Sequence, residues 1–314
     1  MTMPQALDAG VFALVLAVAA WIVTVRESMA AVMGLVVYGL LLALVWLRLG
    51  APDVALTEAA IGGGLSGVLM IGAAGRMRTG GPPAAREPGI GRRLVAAALA
   101  ASVTAGLAAA LLLLPDPAPT LAPAAAANLE ATGVGNPVTS VLMAFRAMDT
   151  FLEKVVLLLA LVGAWSLAPD RLWGGRPGPH HRADPDGPLA FLARVLAPVG
   201  IVTGVYLLWV SADEPGGAFQ GGTLIAAMWL LVMMAGLADA PAIGGRRLRL
   251  VLIAGPAVFL LVGLGGLALG EAFLAYPVAF AKPLILAIEI PMTLTIAVTL
   301  GLLMAGVPER QARE

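Results

Sequence analysis

The stretch ALDAGVFALVLAVAAWIVTV, residues 6–25, holds a single charged residue, Asp8, in twenty positions. A helix crossing the hydrocarbon of a bilayer needs about 20 mostly apolar residues, and its backbone polar groups must be satisfied within the segment. This run meets both demands as a helix, and similar runs recur along the 314-residue chain. They lie near 29–47, 54–74, 94–114, 189–210, 223–237, 250–269 and 283–305, with one more inside 138–167. The composition agrees, with 60% hydrophobic and 12% charged residues and a mean hydropathy of +0.94. A soluble domain carries about 25% charged residues. The sequence therefore predicts an all-α polytopic membrane protein with about nine transmembrane helices. It excludes a soluble enzyme, a secreted disulfide scaffold and a nucleic-acid binder. Nineteen basic residues balance nineteen acidic ones, so no net field draws an anionic partner. With no cysteine there is no disulfide and no thiolate nucleophile or metal ligand.

Residues 138–167 are too long for one simple crossing, and their first half is the charged one. Pro137–Met148 reads as a broken or interfacial lead-in to a span centred on Val155–Trp165. The first span is expected to be retained, because residues 1–9 lack the basic flank of a signal peptide.

Basic residues set the orientation. Arg26, the links holding Arg76–Arg93, Arg171–Arg182 and Arg246–Arg249, and the tail with Arg310 and Arg313 all fall on one side of a nine-span layout. The opposite loops hold Arg48 and the acidic Asp116, Glu130, Asp213, Glu214 and Glu271. The predicted topology is N-terminus out and C-terminus in. Residues 76–93 and 169–188, dense in Pro, Gly and charge, read as solvated cytoplasmic junctions. They divide the chain into blocks of three, two and four spans.

An ionisable group at the membrane centre costs about 2.5–3.5 kcal/mol or more, so those that persist are paired, wet or functional. In GAPDVALTEAAIGGGLSG, residues 50–67, Asp53 stands where it can complement the positive end of a helix that starts at Pro52. Glu58 lies about one and a half turns deeper with no basic residue in its own helix. It needs a partner from elsewhere or a proton, and is a candidate for ion or proton movement. The glycines that follow suit close helix packing. Arg146, Asp149 and Glu153 are spaced to share one helical face, and Lys154 lies one position round. The four charges read either as an interfacial ladder or as a titratable chain, with Glu153 and Lys154 next to the long apolar run favouring the second. In SADEPGGAFQGG, residues 211–222, an outer loop holds Asp213, Gly216, Gly217, Phe219 and Gln220. It reads as a tight turn anchored by Phe219, or as a cation-attracting mouth or re-entrant turn facing a wet cavity. Lys282 and Glu289 are seven apart on one face of the last span, Lys282 near its outer end and Glu289 about two turns in.

His180 and His181 stand beside Asp184 and Asp186 in a Pro/Gly junction, where nothing fixes a ligand geometry, so no metal site is expected. There is no Walker loop, no GxGxxG between strand and helix and no GxSxG elbow. No cofactor and no covalent chemistry are expected of this chain, which does not read as an enzyme.

GAPDVALTEAAIG resembles the MbhD-like membrane subunit of membrane-bound hydrogenases, which is also the C-terminal part of the large subunit of Mrp-type antiporters. FRAMDTFLEKVVLLLALVGA resembles the MbhE-type unit with its DTxxE pattern, matched here by Asp149, Thr150 and Glu153. Residues 190–306, through DEPGGAFQGGTLIAA, resemble the MnhB-type subunit of Mrp cation/proton antiporters. The corresponding expected units are 1–80 (MbhD-like), 90–168 (MbhE-like), a linker at 169–189 and 190–307 (MnhB-like). The resemblance implies a non-catalytic subunit of a hetero-oligomeric membrane complex in a bacterial or archaeal cytoplasmic membrane, with other membrane subunits, Na+, H+ and lipid as partners. It implies ion or proton movement at Glu58 and Glu153, and by extension a path bordered by Asp149, Lys154, Lys282 and Glu289. The alternative it implies is the membrane arm of a hydrogenase or complex-I-like redox-driven pump. Two departures stand out: Ala218 where the family commonly has glycine, and Lys154 where an apolar residue is more usual.

Overall fold

The computed structural model describes residues 3–79, 89–178, 184–269 and 272–308, all of whose regular elements are helical. In chain order they are α1 (Met3–Thr24), α2 (Ser28–Arg48), α3 (Pro52–Thr57), a π-helical stretch (Glu58–Leu65) and α4 (Ser66–Thr79). Next come α5 (Ile90–Leu112), α6 (Ala122–Ala127), α7 (Pro137–Ser140), a second π-helical stretch (Val141–Phe145) and α8 (Ala147–Trp165). The last four are α9 (Pro188–Val210), α10 (Ala218–Met234), α11 (Arg246–Ala268) and α12 (Ala281–Ala305). His180, His181, Arg182, Glu271, Arg310 and Arg313 lie outside the described residues.

Seven stretches among the described residues are long and apolar enough to cross a bilayer: α1, α2, 52–75, α5, α9, α11 and 278–305. Two of the expected spans fall short of that measure for different reasons. α10 has only 17 residues, and α8 carries Asp149, Glu153 and Lys154 within its 19.

The expected break in 138–167 is present. Asn136 caps α7 by accepting the Val138 N–H at 2.8 Å, with Pro137 in the first turn. The chain then widens into the π turn and leaves helical geometry at Arg146 (φ −128°, ψ 32°). Thr150 bridges the break by donating to the Leu142 carbonyl at 2.6 Å.

α12 is the central element, packed against α8, α9, α10 and α11. One cluster of its core gathers Met143, Ala147, Phe259, Ile285, Ile288, Met292 and Ile296. A second gathers Leu161, Trp165, Met233, Leu248, Leu252 and Leu302. Thr295 of α12 enters the hydrogen-bond ladder of α11: its hydroxyl accepts the Gly255 N–H at 3.0 Å and donates to the Val251 carbonyl at 2.8 Å. Such an insertion, next to Pro256, marks a point where α11 can bend. By contrast, no residue of α5 is buried.

The junction at 169–188 is not purely solvated as expected. Ile243 N–H donates to the Gly175 carbonyl at 3.0 Å, and Gly178 N–H donates to the Val307 carbonyl at 3.1 Å, which ties the junction to the link before α11 and to the chain just after α12.

Candidate functional site

The segment 211–220 is where three parts of the chain meet. Its glycines bring backbone N–H groups into the interior, since no side chain stands between them and their neighbours. Gly217 has φ +146°, which L side chains rarely adopt, and a Cβ there would lie 2.8 Å from the Gln220 Oε1. A further close approach follows at Gly222, where a Cβ would sit 2.9 Å from the Ile296 Cβ, so α10 begins with its backbone against α12.

Asp53, 5% exposed, reaches into this segment from α3. Its Oδ1 accepts the Gly216 N–H at 2.9 Å and the Asn136 side-chain amide at 3.4 Å. Its main-chain carbonyl accepts the Gln220 amide at 3.4 Å. Asn136 also donates to the Glu214 carbonyl at 3.0 Å. The local role read for Asp53 at the start of its helix is thus overshadowed by a contact across the chain.

From the other side, Glu289 of α12 is 3% exposed. Its Oε2 accepts the Ser211 hydroxyl at 2.7 Å, and the Ala218 backbone N–H also bonds the carboxylate. The Ser211 carbonyl in turn accepts the Thr139 hydroxyl at 2.7 Å. Two buried carboxylates, Asp53 and Glu289, therefore hold the same short segment.

Lys154 completes the cluster. It is 5% exposed, and its Nζ lies 4.5 Å from the centre of the Phe219 ring and 3.1 Å from Glu153 Oε1. Glu153 points the other way, with 54% of its side chain exposed. At 1.5 Å per residue Glu153 lies about 9 Å beyond the start of α8, and it is therefore an outward carboxylate anchored by an inward cation.

The segment 211–217 is a connection between α9 and α10, as expected, but a packed one. Gly216, Gly217 and Gln220 are buried, and residues from Ala218 onward are already helical. Gly217 keeps the turn conformation read for it, while its neighbours and the glycines of α10 also pack against other elements. Phe219 packs against the core, with Lys154 over its ring. Asp213 alone of the five stays exposed, paired with Lys282 Nζ at 2.8 and 2.9 Å. The Lys282 ammonium, and the hydrogen bond it donates above all, holds the Asp213 carboxyl below its ordinary range.

The other expected site residues stand apart. Asp149 is exposed and ion-paired with Arg146. Lys282 serves Asp213 at the rim, whereas Glu289 is in the core. Glu58 opens the first π-helical stretch, half-buried and without a hydrogen-bond partner among the described residues. Its carboxylate lies over Gly62, where any Cβ would collide with it. Gly63 and Gly67 instead face Leu40 and Val36 of α2. Packing therefore accounts for the later glycines, while Gly62 makes room for Glu58. π-Helical turns of this kind occur frequently at functional sites.

Asn136, Thr139 and Ser211 were not among the expected site residues. The Asn-Pro pair at 136–137 carried a capping signal that places Asn136 at a helix start. Nothing local marked Ser211.

Comparison with known proteins agrees with this architecture. Residues 13–79 match the MbhD family, a component of the MBH complex. Residues 188–307 match MnhB, described as a domain related to the MnhB subunit of Na+/H+ antiporter. The chain is similar to one in the structure of the Mrp complex from Dietzia sp. DQ12-45-1b, with a TM-score of 0.70 and 25% identity, covering 97% of this chain and 35% of that one. It thus spans about a third of the length of that relative. It also shares its fold with a chain of the membrane-bound sulfane sulfur reductase (MBS), an archaeal respiratory membrane complex. There the TM-score is 0.55 and the identity 23%, over 67% of this chain and 95% of that one. No match was found among curated proteins.

Proposed function

As a multi-pass membrane chain that joins an MbhD-type unit to an MnhB-type unit, this protein is, we propose, a subunit of a multisubunit Na+/H+ antiporter of the Mrp type. It contributes intramembrane carboxylates to an ion or proton path and does no covalent chemistry of its own. The observation that carries this reading is the meeting of the two units at buried carboxylates: Asp53 of the first and Glu289 of the second bind one segment, 211–218. Ionisable groups within a membrane domain are costly and characteristically mark ion or proton pathways. Glu58, Glu153 with Lys154, and Glu289 border that path. Residues 90–168 act as an MbhE-type unit, and with α8 and α10 crossing the bilayer the chain has about nine spans, N-terminus out. Its setting is a bacterial or archaeal cytoplasmic membrane, and its partners are the other membrane subunits.

The MbhD match also supports a second reading, the membrane arm of a redox-driven ion pump. Purification of the tagged chain from native membranes in mild detergent, with mass spectrometry of its companions, separates the two. The antiporter reading expects polytopic membrane subunits only, and exchange of Na+ for H+ after reconstitution. Metal-cluster proteins in stoichiometric amounts would replace it with the redox reading.

A further inference from the structure

Ser211 has one hydroxyl proton and two acceptors for it. Its Oγ lies 2.7 Å from Glu289 Oε2 and 2.8 Å from the carbonyl of Leu208, one turn back in α9. A hydroxyl donates once and accepts through its lone pairs. With Glu289 charged, the proton points to the carboxylate, which has no proton to give. With Glu289 protonated, the carboxyl O–H can donate to the Ser211 oxygen, and the hydroxyl proton turns to Leu208. In the first arrangement only the contact to the carboxylate carries the proton, and the Leu208 carbonyl still accepts the Ser211 backbone N–H at 3.4 Å. In the second both contacts carry one, so Glu289 can change charge without leaving its carboxyl unpaired in an interior where that is costly.

Resting on the reading of Glu289 as an ion-path carboxylate, we propose that Ser211 is the positioning residue that lets Glu289 gain and lose a proton in place, by turning its hydroxyl between Glu289 and the Leu208 carbonyl. The proton enters and leaves through the path; Ser211 keeps its own. Ser211 is fully buried, and its carbonyl is fixed by Thr139 at 2.7 Å, so the oxygen stays put while the proton turns. The segment that Ser211 begins ends at Gly216, whose N–H binds Asp53, and at Ala218, whose N–H binds Glu289.

Other charged groups lie on the elements around α12. They are Asp149, Glu153 and Lys154 on α8, Asp213 and Glu214 after α9, and Glu130 in the turn beside α12. α10 brings no charge to its contact with α12. The arginines of α11 lie in its first turn, that of α9 at Arg194, and Lys282 of α12 itself binds Asp213. Of these, none forms a hydrogen bond or ion pair with Glu289 among the described residues, which leaves Ser211 and the Ala218 N–H as its polar partners.

The test uses the assembled complex, in the wild type and in Ser211→Ala, Ser211→Thr and Glu289→Gln. The readouts are the pH profile of exchange and the infrared carboxyl band that is lost in Glu289→Gln. Removing a donor to the charged form favours the protonated form. Ser211→Ala should therefore move the midpoint of that band, and the acidic limb of exchange, to higher pH by about one unit. Ser211→Thr, which keeps the hydroxyl, should restore both. If Ser211→Ala does not assemble, Ser211→Cys, a weaker donor, should show a smaller shift in the same direction. An unmoved midpoint in Ser211→Ala or Ser211→Cys overturns the role of Ser211, as does a Thr variant that behaves like Ala. The absence of any pH-dependent Glu289 band also overturns it. Full exchange in Glu289→Gln would instead overturn the reading of Glu289 as a path residue, while the band still reports on Ser211.

Discussion

The carboxylate of Asp53 accepts the backbone N–H of Gly216 at 2.9 Å, although the two residues are 163 positions apart. It joins the first membrane unit to the last at the point where the last holds its own buried carboxylate. A hydrogen bond to a charged group contributes about 1.5–3 kcal/mol, and the cost of stranding a buried partner is similar. Asp53→Ala should thus lower the stability of the purified complex by about 2 kcal/mol, while Asp53→Asn keeps an acceptor oxygen and should lose less. Thermal unfolding in detergent orders the three proteins, and equal melting of the Ala variant and wild type would remove Asp53 from the junction.

Gly62 and Gly63 are neighbours with different duties. A Cβ at Gly62 meets the Glu58 carboxylate, whereas a Cβ at Gly63 meets Leu40 of α2 at 3.1 Å. Gly62→Ala is expected to leave melting nearly unchanged and to reduce exchange, because it displaces Glu58. Gly63→Ala is expected to lower melting as well. Measuring both properties on both variants checks the assignment, and identical behaviour would contradict it.

Lys154 is a buried cation whose direct ionic partner points outward. Removing one member of an ion pair is costly when the other is left buried, but Glu153 is 54% exposed and stays so, while the apolar group relieves the desolvation of a buried cation. Lys154→Met should therefore assemble and melt like wild type, while exchange falls at least about tenfold through loss of a proton-transfer group. A Met variant that exchanges normally would reduce Lys154 to a packing element.

The Asp213–Lys282 pair has a defined pH window. Its folded carboxyl is held below the ordinary value of 3.8, so the stability it adds is present above that value and is lost progressively as pH falls from it through the lowered folded value. Asp213→Asn should melt slightly below wild type at neutral pH, with the difference shrinking progressively as the pH falls below 3.8. The neutral-pH difference should shrink in high salt, because the pair is largely exposed.

Much of this was legible from residue types alone. Glu58 and Glu289 stood out because a carboxylate inside an apolar run demands a partner, and the break near Arg146 followed from a segment too long and too charged for one crossing. What the sequence hid was long-range. The Gly-Gly pairs at 216–217 and 221–222 read as turn residues, since local chemistry does not distinguish a glycine that bends from one that lets two helices touch. Here Gly222 meets Ile296 and Thr293 of α12, and α10 begins earlier as a result. Ser211 and Asp53 gained their roles from partners 78 and 163 positions away, beyond any periodic signal.

The central claim, that a buried carboxylate of this chain carries charge in cation/proton exchange, is tested most directly at Glu289. The assembled complex is reconstituted into vesicles with an internal pH dye, and a Na+ gradient is imposed on wild type and Glu289→Gln. Glutamine keeps the size and hydrogen-bonding oxygen but cannot take up or release a proton. The account predicts that the Gln complex assembles with its full set of companions and shows no Na+-driven pH change. An assembled Gln complex that exchanges at the wild-type rate would contradict it.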